Sequence, residues 1–177
     1  AYYAMEKYDD ASRCFTEGLQ GLSDDVRLLN ARAMSYVRLG KHDLAIPDFD
    51  RAIALDPNNL RTLTNMGMLK LDMKDYDGAL QHLNRALQLQ PSDRDVILAK
   101  AKVYEAMESI DEARYWYQKA LEQGEDPATL ASIAGLQSRV GDYQSTIATL
   151  EKVVATNPDS KESWYNLGLA REKLKQY

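Results

Sequence analysis

Residues 60–93 read LRTLTNMGMLKLDMKDYDGALQHLNRALQLQPSD, and this stretch decides the fold. Leu63, Met66, Gly67 and Leu71 follow steps of three and four, which places them on one face of a helix. After a short turn at Lys74 and Asp75, residues Tyr76, Ala79, Leu80, Leu83, Ala86 and Leu87 do the same. Two amphipathic helices joined by so short a turn must lie antiparallel. Pro91, Ser92 and Asp93 then stop one helix and prepare the next.

Outward from this stretch the pattern recurs. Ala11, Ala45, Ala79 and Ala113 stand 34 residues apart, as do Ala52, Ala86 and Ala120, and Pro57 and Pro91. A fixed period of this length marks stacked structural units, none of which can bury its apolar face alone. After Ala120 the register slips by one. Thr146 takes the place of the next alanine, so a loop near Gly124 to Pro127 is one residue short. Asp126 before Pro127 suits an N-cap with proline at the first helical position, and Gly40 and Gly141 suit left-handed ends of first helices. The chain therefore divides into a partial unit at 1–25, with a second helix read over 8–22, complete units at 26–59, 60–93, 94–126 and 127–160, and a partial unit at 161–177.

Trp164-x2-Leu167-Gly168, Ala11-x3-Phe15, Ala45-x3-Phe49 and Pro57, Pro91 and Pro158 together resemble the tetratricopeptide repeat, with Ala79-x3-Leu83 and Ala113-x3-Tyr117 as conservative versions. The resemblance covers essentially the whole chain. It implies an all-α, right-handed superhelical solenoid of antiparallel helix pairs whose first helices line a concave face and which serves as a protein–protein interaction scaffold. Some positions depart from the family pattern. Arg32 and Lys100 stand where leucine is usual, and Lys70, Gln137 and Arg171 where tyrosine is usual. Their stems are expected to cover apolar surface while their heads reach water. Pro47, inside a second helix, predicts a kink over His42–Pro47.

Composition narrows the function. With 45% hydrophobic and 28% charged residues the chain reads as a folded protein, and no apolar run is long enough to cross a membrane. A formal charge of −5 argues against nucleic acid as a partner, because phosphate binding needs a basic field. Cys14 is the sole cysteine, which excludes an internal disulfide and a thiolate metal cluster and suits a reducing, cytoplasmic compartment. The opening Ala-Tyr-Tyr, without an initiator methionine, reads as a segment whose true N-terminus lies upstream. His42 and His82 have no metal-binding spacing, and no glycine-rich phosphate loop is present. The acidic pairs Asp9–Asp10 and Asp24–Asp25 lack calcium-loop spacing and read as helix-end charges. No catalytic residue, metal or cofactor is implied, and the chain reads as a non-enzyme.

Within each unit, positions 2, 5, 9 and 12 share one face of the first helix. They are Arg27, Asn30, Met34 and Val37, then Arg61, Thr64, Met68 and Leu71, then Asp95, Leu98, Lys102 and Glu105, then Ala128, Ala131, Gly135 and Ser138. The final helix adds Glu162, Tyr165, Leu169 and Glu172. The resemblance makes this face the binding groove. The candidate contacts are Arg27, Asn30, Met34, Arg38, Arg61, Thr64, Asn65, Met68 and Lys102, expected to hold a protein or peptide carrying acidic and apolar residues. Ala128, Ala131 and Gly135 predict a shallow, roomy stretch further on. The carboxylate clamp by which co-chaperones of this family hold chaperone tails falls on Asn30, Met34, Asn65, Asp95 and Ala99, and only Asn65 fits. The asparagine column used by other members, here Ala31, Asn65, Ala99, Ser132 and Asn166, is too broken for a ladder. Two other roles remain open: a regulatory or substrate-docking segment of a larger enzyme, as in some glycosyltransferases, and a self-assembling scaffold. The second rests on apolar groups at the ends, Tyr2, Tyr3 and Met5 at one and Trp164, Leu167 and Leu174 at the other.

Overall fold

The computed structural model describes the backbone of residues 2–175 and the side chains of residues 7–175, so Tyr2, Tyr3 and Met5 lie outside the described side chains. Among the described residues every regular element is a helix: α1 (Tyr2–Gly21), α2 (Val26–Arg38), α3 (His42–Leu55), α4 (Leu60–Asp72), α5 (Tyr76–Leu89), α6 (Arg94–Ala106), α7 (Ile110–Leu121), α8 (Pro127–Arg139), α9 (Tyr143–Thr156) and α10 (Lys161–Leu174). Even-numbered helices are the first helices of their units and odd-numbered ones the second. Helix α1 is longer than the 8–22 read from sequence, with 20 residues against 14 in α3, because residues 2–7 hold no glycine, proline or turn former to delay it. The chain forms two compact units, residues 1–99 and 100–177.

Local chemistry sets the helix ends. Asp25, Asn59, Asp75, Asp126, Asp142 and Ser160 each accept backbone N–H groups of the first turn that follows, and Pro127 begins α8 as its sequence suggests. First helices end in a repeated motif. At the end of α4 the Lys74 N–H bonds Leu71 O at 2.8 Å and the Asp75 N–H bonds Lys70 O at 2.8 Å, which consumes two orphan carbonyls. The same pair of bonds closes α2 at Gly40 and Lys41, α6 at Glu108 and Ser109, and α8 at Gly141 and Asp142. Each motif needs one residue in left-handed conformation. Gly40 (φ +70°) and Gly141 (φ +78°) supply it freely, while Lys74 (φ 61°) and Glu108 (φ 59°) adopt it despite their side chains.

Small residues let helices approach. In the first unit Ala33, Ala45, Phe49, Met66 and Leu69 form one buried cluster, with Leu19, Leu29 and Ala52 forming another. A Cβ on Gly67 would stand 2.8 Å from Leu83 Cγ and 3.3 Å from Ala79 O, so glycine is what allows α4 and α5 to touch. In the second unit Ala134, Leu150, Val154 and Leu167 play the same part.

The unusual polar residues do not behave as expected from their stems alone. Arg32 does not send its head to water. It pairs with buried Asp48 on α3 through Nε–Oδ2 at 2.7 Å and Nη2–Oδ1 at 2.6 Å, and donates to Thr16 at 3.2 Å. Lys100 is buried, with Nζ 4.0 Å from the Trp116 ring centroid. Burial and then the nearby Lys119 charge hold its pKa below the usual lysine range. Lys70 pairs with Asp75 at 3.0 Å, Gln137 accepts from Thr149 at 2.9 Å, and Arg171 reaches Glu151 at 2.8 Å. Every departure from the family's apolar pattern meets a partner on a second helix or its cap. Pro47 does not end α3, which continues to Leu55. The bond that proline withholds is the one to the Asp43 carbonyl, near the start of the helix.

Candidate binding groove

The largest built concavity lies within the second unit. It has a volume of about 780 Å³, within the range of ligand-binding clefts. Helix α8 contributes Ala128, Ala131, Ser132, Gly135 and Ser138, and α10 contributes Glu162, Asn166 and Leu169. Thr146, Leu150 and Val153 of α9 form its floor. The width has a simple cause: α8 presents alanine, serine and glycine on this face, and nothing lies within 4 Å of where a Cβ on Gly135 would stand.

One wall is a polar network. The Tyr117 hydroxyl donates to Glu105 Oε2 at 2.6 Å, and Arg139 Nη2 donates to Glu105 Oε1 at 2.5 Å. Burial first, and then the bond to Glu105, push the Tyr117 hydroxyl well above the usual phenol range, so it stays protonated and remains a donor. Glu105 is thus fixed at the edge of the groove with both oxygens engaged. Asp126, also on the lining, caps α8 through the Thr129 N–H at 3.0 Å. The lining carries Glu105, Asp126 and Glu162 and no lysine or arginine, which gives it an acidic field tempered by Arg139.

The residues singled out from sequence fall mostly in the first unit and differ in accessibility. Arg27, Arg38 and Arg61 are exposed. Arg27 folds back on Asp25, its Nη2 3.0 Å from Oδ2, and this contact, followed by the bond from the Leu28 N–H, holds the Asp25 carboxyl below its ordinary value. Met34, Thr64, Asn65 and Met68 are half-buried, with Met34 packed on the Ala33–Phe49 cluster and the Thr64 hydroxyl bonded to Leu60 O. Asn30 is 3% exposed and donates to Thr62 Oγ1 at 2.6 Å and Val26 O at 3.0 Å. It is a tie between α2 and α4 more than a groove contact, and its Oδ1 is buried without a partner among the described residues. Lys102 is exposed in the second unit.

The cavity includes Ala128, Ala131, Gly135 and Ser138, which the face rule named only as a roomy stretch, together with Glu105, Ser132, Asn157 and Asn166, which were not assigned to the site. The available signal was the run of small residues along one helical face.

Comparison with known proteins fits this architecture. Tetratricopeptide-repeat family profiles match residues 24–92, 70–140 and 136–177. Hsp70-Hsp90 organizing protein 2 of Arabidopsis thaliana is 31% identical over 74 residues, which make up 42% of this chain and 13% of that protein. RNA polymerase II-associated protein 3 of Xenopus tropicalis is 32% identical over 74 residues, 42% of this chain and 11% of that protein. The match therefore spans only a small part of these relatives. Among solved structures, TTC0263, a tetratricopeptide-repeat protein of Thermus thermophilus, superposes with a TM-score of 0.77 at 20% identity, covering 96% of this chain and 93% of that one. MamA of Desulfovibrio magneticus RS-1 gives 0.76 at 21% identity, covering 87% and 88%. YrrB, described as having an unusual peptide-binding site, gives 0.72 at 18% identity, covering 93% and 86%.

Proposed function

Since this chain belongs to the tetratricopeptide-repeat family, whose members are protein-interaction scaffolds, we propose that it is an adaptor that binds a polypeptide along its first helices. The observation that carries this reading is the cavity between α8 and α10, built from small side chains on an otherwise well-packed helix pair. A groove floored by Thr146, Leu150 and Val153 and walled by alanine and glycine suits a slender extended segment. Its acids, Glu162 above all, favour a segment with a basic group at that place. In the first unit, the exposed Arg27, Arg38 and Arg61 beside half-buried Met34 and Met68 favour a segment with acidic and apolar residues.

What the plant relative organises is not carried over to this chain. Of the chaperone-clamp positions only Asn65 keeps the family's residue, and Asn30 is committed to the interior.

Peptides selected from a random library displayed on phage, synthesised and titrated against the purified chain, test the groove. Two variants serve: Gly135→Trp, which fills the cavity where nothing lies within 4 Å, and the double change Arg27→Glu and Arg61→Glu. Circular dichroism should show both to be as helical as the parent. Selected peptides should lose at least about tenfold in affinity to one variant or the other, about 1.4 kcal/mol. Peptides that bind both variants as tightly as the parent would move the site off the first helices.

A further inference from the structure

The two ends of the described chain carry complementary halves of one repeat. Counting from the first residue of each unit, position 4 is Leu29, Leu63, Ile97 and Leu130, none more than 6% exposed, but Trp164 in α10 is 50% exposed. Position 8 is Ala33, Gly67, Ala101 and Ala134, all buried, but Gly168 is exposed. The contrast between two glycines is direct. A Cβ on Gly67 would collide with Leu83 of the second helix, whereas a Cβ on Gly168 would meet nothing within 4 Å. Among the described residues, no helix sits on this face of α10.

Helix α1 shows the converse. Position 24 is Phe49, Leu83, Tyr117 and Leu150, each at most 2% exposed, while its counterpart Phe15 is only half-buried. Position 20, fully buried as Ala45, Ala79 and Ala113, is half-buried as Ala11, and Tyr8 on the same face is 37% exposed. Helix α1 is a second helix whose face for a first helix is open.

The sizes on these two faces match. Within the repeats a large residue at position 24 rests on a small one at position 8, as Phe49 clusters with Ala33, Leu83 faces Gly67, and Leu150 clusters with Ala134. By that rule Phe15 belongs on Gly168. Position 27 is Ala52, Ala86 and Ala120 under a medium-sized position 4, but in α1 it is Gly18, while position 4 of α10 is Trp164. The larger side chain on one face stands where the other has glycine. The Trp164 ring is already held, its indole N–H donating to Pro158 O at 2.9 Å.

We propose that a second copy of this chain supplies the missing helix: α1 of one copy seats on α10 of another and completes a repeat in trans. This surface is distinct from the peptide groove. Each copy offers one half at each end, so the contact is heterologous and growth continues past a pair unless a ring closes.

The test uses two variants, each disabling one end. Gly168→Leu occupies the seat on α10 without a clash inside its own chain, and Phe15→Ala removes the knob on α1. Weight-average mass is followed by sedimentation or light scattering across a wide concentration range. The parent should grow with concentration beyond twice its 20.0 kDa, and each variant alone should stay monomeric. An equimolar mixture has one working pair of ends and should stop at a dimer of about twice the chain mass. If Phe15→Ala loses helix content, Tyr8→Lys at the exposed end of the same face replaces it. A parent that remains monomeric, a Gly168→Leu variant that associates like the parent, or a mixture that stays monomeric or grows without limit would each overturn the proposal.

Discussion

His82 shows how a single side chain is governed by its surroundings. It is half-buried on α5, and desolvation first, then the Lys70 charge, hold its pKa below 6.5, with Asp50 and Asp75 opposing. The folded state therefore binds its proton less readily than the unfolded chain does, so this residue makes stability rise with pH and fall as pH drops below 6.5. His82→Gln should lose less melting temperature between pH 7 and pH 5 than the parent does, by about 1–2 °C. Equal losses in the two proteins would deny His82 this role. The helix ends give a second prediction. Lys74 and Glu108 hold left-handed conformations where the parallel positions carry glycine. Lys74→Gly and Glu108→Gly should each raise stability by about 1 kcal/mol in urea unfolding, whereas glycine inside a helix would lower it. Gly40 and Gly141 announce these turns in the sequence. Lys74 and Glu108 do not, because both are good helix formers and only the backbone reveals what they do.

Between helices, the same residue type has opposite effects depending on what faces it. Gly67 lies under Leu83, so Gly67→Ala should cost about 1–3 kcal/mol through overpacking of α4 against α5. Gly168 faces open space on α10, so Gly168→Ala should gain up to about 1 kcal/mol from helix propensity alone. Thermal unfolding of the two variants reads both signs in one experiment. Both glycines sit at position 8 and look equivalent in the sequence. Asn30 makes a related point. The three-and-four rule groups it with Arg27 and Met34, yet it turns inward to bond Thr62. An apolar stripe is more than about 100° wide, so a residue at its border is claimed by whichever neighbouring helix offers it a partner.

At the scale of the molecule, a net charge of −5 makes copies repel one another, while the proposed seam of Phe15, Gly18, Trp164 and Gly168 is apolar. Raising salt from about 50 mM to about 500 mM screens the repulsion and should move association to lower protein concentration. A shift in the other direction would mean that ion pairs hold the copies together. By itself the sequence determined the all-helical class, the 34-residue period, the pairing of helices, most of their ends and the family, because each of these is written in spacings of a few residues or in strict repetition. Tertiary structure alone decided which polar side chains at apolar positions are satisfied, as Arg32 is by Asp48 sixteen residues away. It alone placed the cavity in the second unit and the open faces on α1 and α10. Room is created by what neighbouring helices fail to fill, and an alanine or glycine reads the same whether the space beside it is occupied or empty.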